Sequence, residues 1–408
     1  MSLGSGRAGG SDRGLRPGSA GYRKFLIALF CAGIATFAQL YAPQSVLPVI
    51  ARAAQVSPDT AALSISVATG ALALGVLPWA MLASRIGRAR AISFAITGAG
   101  LIGCAVPFAP SFALFLTGRA VEGLLLAAVP AAAVAYMAEQ VSAAAIARTA
   151  GVYVAGTTVG GLLGRVVAGP LSEMFGWRTA MLVVALGGLS AALLFVVLAP
   201  RLSPRPGAED ASGAMQGFLS RLARSLRVKS LLQLYVQPFL LMGVFVALYN
   251  YIGFRLEAEP FAFTATAVSM LYFSYLAGTF TAARTGALVQ RLGFKRTTLL
   301  AQLAMAAGLA LTLSSSAPVI VAGLVVHTAG FFAAHAALTA WTPLVEPRFA
   351  AEAAAAYSFS YYLGSSLIGW AAGLMLTALG WYLTIASLLV LVALAAALTS
   401  TSRDPRPA

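Results

Sequence analysis

The chain has 408 residues, of which 60% are hydrophobic and only 10% are charged. Soluble domains carry about 25% charged residues, so this composition excludes an ordinary soluble protein. The formal net charge of +15 is explained by the placement of basic residues around membrane spans, and no nucleic-acid partner is expected.

Apolar runs long enough to cross a bilayer recur along the whole chain. The first run is too long for the core of a signal peptide and is interpreted as a retained helix. The predicted spans cover residues 24–50, 61–83, 91–109, 112–138, 146–171, 178–199, 231–254, 264–289, 297–313, 317–341, 352–378 and 380–399. The sequence therefore predicts an all-α, polytopic membrane protein with twelve transmembrane helices.

One long polar segment divides these spans into two six-helix bundles. We expect bundles at residues 24–199 and 231–399, joined by a cytoplasmic linker at 200–230. Residues 1–23, rich in Gly, Ser and Arg, are predicted to form a disordered basic cytoplasmic tail, and residues 400–408 a second cytoplasmic tail. Basic residues spaced along the linker indicate either a helix face resting on anionic lipid or a solvated linker. They are Arg221, Arg224, Arg227 and Lys229.

The lysines and arginines predict the orientation of the chain in the membrane. With both termini in the cytoplasm, the tails, the linker and the loops on that side hold most of the basic residues. Only Arg52, Arg178 and Arg255 fall in loops on the other side. The sequence therefore predicts cytoplasmic termini.

A short basic signature occurs twice, about 206 residues apart. Residues 85–90 read Arg-Ile-Gly-Arg-Ala-Arg, and residues 291–296 read Arg-Leu-Gly-Phe-Lys-Arg. A second signature begins at Tyr153 and again at Tyr361, and each copy is followed by a Gly-Trp pair. Two signatures at one spacing indicate a duplicated unit and a pseudo-two-fold symmetry between the bundles, as in many secondary transporters.

With these features the chain resembles the major facilitator superfamily, whose loop between helices 2 and 3 reads Gly-x-Leu-Ala-Asp-Arg-x-Gly-Arg-Lys. Residues 80–90 here read Ala-Met-Leu-Ala-Ser-Arg-Ile-Gly-Arg-Ala-Arg, and the aspartate position is Ser84 in the first half and Gln290 in the second. Without these acids, Arg85 and Arg291 are expected to bond helix C-terminal carbonyls or lipid phosphates instead. The motif residues are Arg85, Gly87, Arg88, Arg291, Gly293 and Arg296.

Helix 4 contains Arg119-x-x-Glu122-Gly123, which resembles the family element Arg-x-x-Gln-Gly with an acid in place of the amide. Residues three apart share a helix face, and an ionisable residue inside a span costs about 2.5–3.5 kcal/mol on insertion scales. Two interpretations stay open. The pair either pins helix 4 to its neighbours, or protonation of Glu122 switches the partners of Arg119 and couples a proton to transport.

Helix 5 resembles the antiporter motif Gly-Pro-x-x-Gly-Gly of proton-linked exporters, with Thr157 in place of the proline. Its glycines predict close helix packing, and we expect the glycine faces of helices 5 and 11 to slide against the opposite bundle. Arg165, in the same helix, is expected to reach Glu173, the lipid interface or the cavity. The packing glycines are Gly156, Gly160, Gly161, Gly164, Gly364 and Gly369.

In three segments the chain resembles the arabinose-efflux-permease-like, drug:proton antiporter branch of bacterial inner-membrane exporters. These segments are helix 5, residues 331–335 and residues 360–366. The resemblance implies a monomer in the bacterial inner (plasma) membrane, without a cofactor, that exports small amphipathic compounds or sugars in exchange for protons. An uptake permease, by uniport or symport, or a transporter-like sensor on the same scaffold is the alternative.

In this fold the substrate site lies between the bundles near the bilayer midplane. Packing within the bundles is the other interpretation of each candidate side chain. The cavity candidates are Gln39, Tyr41, Arg119, Tyr249, Asn250, His327, Phe331 and His335. The proton-coupling candidates are Glu122, Arg119 and His335.

Other function classes lack their motifs in this sequence. No phosphate-binding loop of the type that powers ATP-driven pumps is present. The two histidines share one helix without a nearby acid, so a membrane-embedded enzyme is not expected. Cys31 and Cys104 lie in predicted helices without a CxxC pattern, so neither a disulfide nor a metal cluster is expected.

Overall fold

The computed structural model describes residues 15–200, 211–402 and 404. Within these ranges the chain is almost entirely helical, and its one extended contact pairs Leu15 with Val141. The helices are α1 Ala20–Tyr41, α2 Leu47–Ala54, α3 Pro58–Ile86, α4 Arg88–Ala105, α5 Phe112–Leu126, α6 Ala128–Gln140, α7 Ala143–Phe175, α8 Trp177–Leu198, α9 Ala211–Ser225, α10 Lys229–Glu257, α11 Ala265–Met270, α12 Tyr275–Leu311, α13 Ala317–Val345 and α14 Ala350–Thr401.

Twelve membrane crossings are assembled from the described helices. α1 and α2 form one crossing that is interrupted over residues 42–46, where Pro43 lacks the N–H that a continuous helix requires. α5 and α6 form another crossing, and α11 continues into the first part of α12. α12 and α14 each contain two crossings, because each reverses direction at an internal glycine. The predicted all-α, twelve-helix fold is confirmed.

The reversals show the duplication directly. Gly87 joins α3 to α4 with a φ of 93°, and Gly293 inside α12 has a φ of 80°. Gly176, with a φ of 83°, joins α7 to α8, and Gly380 inside α14 has a φ of 74°. Glycine adopts positive φ without a steric penalty, so each reversal takes a single residue. The two bundles thus turn at matching positions, as pseudo-two-fold symmetry requires.

α1–α8 pack into one six-crossing bundle, and α10–α14 pack into the other. In the first, α1 lies against α7 and α8; in the second, α10 lies against α14 and α12 against α13. Because the crossings alternate in direction, the start of α1, the end of α14 and α9 lie at one end of the molecule, here called the termini end. The opposite end is here called the closed end. The domain boundaries at residues 199 and 231 stay a prediction.

Hydrogen bonds between the described parts of the two bundles lie in the half of the molecule nearer the closed end. They join Arg52 to Glu257, Glu173 to Thr266, Gln44 to Asn250, Asp59 to Thr377, and Ser66 to Ser366. At the termini end, no hydrogen bond between described residues joins α1–α8 directly to α10–α14. There α9 is tied to α14 through Arg221, whose Nε lies 2.7 Å from a carboxylate oxygen of Glu352. The described hydrogen bonds therefore join the bundles to each other at one end only.

The predicted tails differ from the structure where they meet the bundles. Residues 1–14 lie outside the described residues, but Leu15 donates its N–H to the carbonyl of Gln140 at 2.7 Å. α1 already begins at Ala20, because the hydroxyl of Ser19 accepts a hydrogen bond from the N–H of Tyr22 and caps the helix. The described part of the predicted 1–23 tail is thus ordered.

Candidate functional site

Arg119 and Glu122 form a buried ion pair inside the first bundle. Both belong to α5, and Nη1 of Arg119 lies 2.5 Å from Oε2 of Glu122. Nε of Arg119 donates to the carbonyl of Ser64 in α3 at 2.9 Å, and Nη2 donates to the carbonyl of Leu40 in α1 at 2.7 Å. The guanidinium therefore neutralises a carboxylate that would be costly to bury alone, and it ties α5 to α1 and α3.

The interruption after α1 supplies carbonyls to this arginine. Pro43 has no N–H to donate to the carbonyl of Gln39 four residues earlier. Nη1 of Arg119 lies 3.3 Å from that carbonyl and donates to it, beside the bond to Leu40. The ion pair is thus in direct contact with the point where the first crossing breaks.

The second carboxylate oxygen of Glu122 lies beside the side chain of Gln39. A Cβ on Gly103 of α4 would lie 3.2 Å from Oε1 of Glu122 and 2.5 Å from Oε1 of Gln39, so both oxygens line the same gap. Nε2 of Gln39 donates to the carbonyl of Ala35 at 2.8 Å, and its Oε1 has no hydrogen-bond partner among the described residues. Gln39 also packs against Gly188 of α8. Gln39 therefore lies inside the first bundle and not in the substrate cavity, for which it was a candidate.

Arg165 of α7 lies between the bundles, surrounded by three tyrosine rings. Its Cζ is 4.5 Å from the ring centroid of Tyr41, 5.2 Å from that of Tyr272 and 5.0 Å from that of Tyr275. We call these four residues the tyrosine cage. Arg165 is only 3% exposed, and no carboxylate of the described chain forms an ion pair with it. The ring faces therefore stabilise its charge in place of an acid.

Two amides extend the cage across the bundle interface. Nε of Arg165 donates to Oε1 of Gln44 at 2.7 Å, and Nε2 of Gln44 donates to Oδ1 of Asn250 in α10 at 2.7 Å. Gln44 and Asn250 are 206 residues apart, which is the offset of the duplicated loop signature. The hydroxyl of Ser45 donates to the carbonyl of Arg165 at 2.8 Å. This chain of bonds joins α7, the interruption after α1, and the second bundle.

Tyr249 supports the cage from within the second bundle. Its hydroxyl lies 2.6 Å from Oγ1 of Thr328 and also contacts Ser274. The hydroxyl of Tyr272 donates to the backbone carbonyl of Tyr249 at 3.2 Å. The ring centroids of Tyr249 and Tyr275 are 5.3 Å apart. Tyr249 is thus a neighbour of the cage, buried behind two of its rings.

A stack of rings continues from the cage through the second bundle. Phe245 of α10 lies 5.5 Å from Tyr275 and 4.0 Å from Phe331 of α13, measured between ring centroids. His327 stacks on Phe245 at 5.8 Å, and His335 stacks on Phe331 at 5.9 Å. We call His327, Phe245, Phe331 and His335 the aromatic column. The structure therefore brings three of the cavity candidates together in one stack.

The two histidines of the aromatic column have different partners. Nδ1 of His327 donates to the carbonyl of Met305 at 2.9 Å, and this side chain is fully buried. Nδ1 of His335 lies 2.8 Å from the hydroxyl of Tyr357, and its ring is 4.8 Å from that of Tyr361. His335 is partly exposed. It is therefore the histidine of the column that contacts open space.

The loop-motif residues lie at the termini end, away from the cage. Arg88 forms an ion pair with Glu139 at the end of α6, and the backbone N–H of Lys295 donates to Asp404 at 2.9 Å. Glu139 and Asp404 thus supply an acid beside each loop, where Ser84 and Gln290 replace the aspartate of the family motif. Among the described residues, the side chains of three further motif arginines have no hydrogen-bond or ion-pair partner, so the expected bonds to helix carbonyls are not seen. They are Arg85, Arg291 and Arg296.

The packing glycines bring helices of the same bundle together. Gly156, Gly160 and Gly164 face the backbone of α1, where a Cβ on Gly160 would lie 2.6 Å from Cα of Ile34. Gly364 faces the backbone of α10 in the same way, and a Cβ on Gly369 would lie 3.1 Å from Val246 of that helix. Gly161 lies beside Arg165 of its own helix. The expectation that these faces slide against the opposite bundle is wrong, because close approach within each bundle already fills them.

Other glycines occupy the contact between the bundles. Gly70 of α3 faces Ser366 of α14, and Gly169 of α7 faces Ser269 of α11. A Cβ on Gly373 of α14 would lie 2.7 Å from Cα of Asp59. These positions could not be predicted from the sequence, since isolated glycines in apolar helices do not indicate which neighbour they face.

The tyrosine cage was also largely missed. Tyr41 and Asn250 were cavity candidates, but Gln44, Tyr272 and Tyr275 were not. Two signals pointed to Arg165 and Gln44: an arginine in a span without an acid at helical spacing, and the 206-residue offset between Gln44 and Asn250. Tyr272 and Tyr275 carried no such signal, because tyrosines in membrane helices are common.

Two symmetry-related helical bundles, closed at one end around a polar and aromatic centre, define a secondary membrane transporter. The family profile of the Major Facilitator Superfamily matches residues 26–283. The chain belongs to this superfamily.

Curated relatives match nearly the whole chain. The "Uncharacterized MFS-type transporter YybF" of Bacillus subtilis is 31% identical over 370 residues, covering 90% of each chain. The "Inner membrane transport protein YnfM" of Escherichia coli is 33% identical over 368 residues, covering 90% of this chain and 87% of the relative. These relatives support a multi-pass membrane transporter.

Solved structures share the fold. A bacterial homologue of the human lysosomal transporter Spinster, in an inward-facing and unoccupied conformation, aligns with a TM-score of 0.77 at 18% identity, covering 94% of this chain and 97% of that one. The nucleoside transporter NupG aligns with a TM-score of 0.71 at 13% identity, covering 92% and 97%. At these identities the likeness concerns the fold alone.

Proposed function

We propose that this protein exports small amphipathic molecules in exchange for protons by alternating access, as a monomer of the arabinose-efflux-permease-like branch. The observation that carries the proposal is the one-sided closure of the bundles. Described hydrogen bonds join them only in the half towards the closed end, around the tyrosine cage. With the termini in the cytoplasm, as the basic residues predict, this is a state open to the cytoplasm, the side from which an exporter loads.

Glu122 is the proton carrier in this proposal. When its carboxylate is charged, it holds Nη1 of Arg119; when it is protonated, it can donate to the unpartnered Oε1 of Gln39 in the same gap. Among the described residues, Arg119 is the one charged group in hydrogen-bond contact with Glu122, and the thiol of Cys104 lies nearby. Gln39 of α1 and Ala185 of α8, which border the same gap beside Gly103, are neutral.

Protonation of Glu122 acts on the substrate site through the interruption after α1. Arg119 donates to the carbonyls of Gln39 and Leu40, and the next residue, Tyr41, is part of the cage. A change in the pairing of Arg119 therefore acts on the segment that carries Tyr41 and Gln44. Bundles of residues 24–199 and 231–399 then rock about the cage, with exposed Arg224, Arg227 and Lys229, at and after the end of α9, against anionic lipid.

The proposal is tested in everted membrane vesicles with an imposed pH gradient and a fluorescent pH probe. Amphipathic compounds and sugars are added singly, and a substrate should collapse the gradient only in vesicles that contain the protein. Glu122→Gln should abolish the collapse while substrate still moves down its own gradient. Glu259→Gln removes an exposed carboxylate at the closed end and is the matched control, with no change expected. Transport by Glu122→Gln that still follows the pH gradient would reject Glu122 as the carrier.

A further inference from the structure

The charge balance of the tyrosine cage indicates what it binds. Arg165 is buried between the bundles, and no acid of the described chain pairs with it. Acids on the closed-end side have partners of their own, since Glu173 bonds Thr266, Glu257 bonds Arg52 and Asp59 bonds Thr377. An ionisable side chain inside a membrane protein usually pairs with a partner or marks a substrate pathway. The missing counter-charge is therefore expected to arrive with a ligand.

The guanidinium has donors left for that ligand. Of its five N–H groups, one bonds Gln44 and one bonds the carbonyl of Gly161 at 2.6 Å. Nη2 makes no hydrogen bond to the described residues, so it stays available together with the second N–H of Nη1. Parallel N–H groups of this kind bind a carboxylate in a bidentate manner.

The rest of the cage restricts the ligand further. A single cation matches a single negative charge, so a phosphate or another dianion would remain half neutralised. A cationic compound would be repelled, and a sugar would leave the charge of Arg165 without a counter-ion. Next to the cage, the aromatic column begins at Phe245, 5.5 Å from Tyr275. The aromatic column therefore offers ring faces to the apolar or aromatic part of the ligand.

We infer that the tyrosine cage binds the carboxylate of an amphipathic organic monoanion, with Arg165 as the group that holds the charge. The inference rests on the proposed transport function, whose amphipathic substrates it narrows to monocarboxylates. Tyr41 and Arg165 come from the first bundle and Tyr272 and Tyr275 from the second, so the bound anion contacts both. Its binding is thereby sensitive to the separation of the bundles.

The test measures binding alone, so it does not depend on proton coupling or on the direction of transport. Purified protein in detergent is titrated by calorimetry with 4-phenylbutyrate and with its neutral isostere 4-phenylbutyramide, followed by other aromatic and aliphatic carboxylate–amide pairs. Wild-type protein should bind carboxylates about 10- to 100-fold more tightly than the matching amides, as a charge-assisted bond predicts. Equal or weaker binding of the carboxylates, or no binding of any of them, would overturn the inference.

Variants of Arg165 assign the preference to this side chain. Arg165→Gln should reduce carboxylate binding to the level of the amide and leave amide binding unchanged, whereas Arg165→Lys should retain part of the preference. Arg178→Gln removes an exposed arginine outside the cage and is the matched control. Size-exclusion profiles and melting temperatures establish that each variant is folded. A preference that survives in folded Arg165→Gln would overturn the assignment, whereas normal binding without pH-driven transport would reject only the proposed proton coupling.

Discussion

Two buried arginines occupy opposite electrostatic situations in this protein. Arg119 has an acid, Glu122, and three backbone carbonyls as partners. Arg165 has one side-chain amide, a carbonyl and ring faces, but no acid among the described residues. A buried ion pair costs desolvation energy but is far more costly to break by removing one partner. The first arginine is therefore important for folding, and it takes part in the proton coupling proposed above; the second has hydrogen-bond donors for the ligand inferred above.

Removing one member of the first pair should be worse than removing both. Arg119→Ala leaves the carboxylate of Glu122 buried without a cation and should reduce the free energy of unfolding by about 3–5 kcal/mol. Adding Glu122→Gln removes the uncompensated charge and should recover a large share of that loss. Unfolding by SDS titration measures both values, with exposed Arg178→Ala as the control. A double variant that is as unstable as Arg119→Ala would show that the pair is not the cause.

At the scale of helices, the glycines of α7 allow two kinds of close contact, one within a bundle and one between the bundles. Gly156, Gly160 and Gly164 allow α7 to lie directly against the backbone of α1 in the same bundle. Gly169, one turn and a half further along α7, meets Ser269 of the opposite bundle. Substitution at the first set therefore affects packing that is present in every state of the transport cycle. Substitution at Gly169 affects a contact that exists only while the closed end is closed.

Alanine at these two positions of α7 should have different effects. Gly160→Ala overpacks a contact within the bundle and should lower the stability of the protein by about 1–3 kcal/mol. Gly169→Ala should spare stability and hold the closed end apart. A cysteine at Ser172, which is buried at the closed end, should then react faster with an impermeant maleimide. Faster labelling in Gly160→Ala and unchanged labelling in Gly169→Ala would contradict this division.

For the whole molecule, the sequence was sufficient to predict the fold but not which side chains meet at the candidate site. Spans, reversals and duplication follow from hydropathy and from glycines such as Gly87 and Gly293, which are local features. Which side of a helix faces the other bundle depends on packing between distant segments. Gln39 and Tyr41 are two residues apart, yet Gln39 lies inside a bundle and Tyr41 lies between bundles. Hydropathy does not separate them, because every face of these helices is apolar.

The central claim is that the two ends of the molecule open and close alternately. Distances between spin labels at each end test it most directly. One labelled pair, at exposed Ala53 and Ala258, spans the closed end, and another, at exposed Ala147 and Ala287, spans the termini end. Cys31 and Cys104 are first replaced by alanine, and distances are measured in nanodiscs at several pH values. Alternating access predicts two distances for each pair, with the longer distance at one end accompanying the shorter distance at the other. In Glu122→Gln the distribution of distances should no longer change with pH. Distances that do not change, or that lengthen at both ends together, would contradict the account.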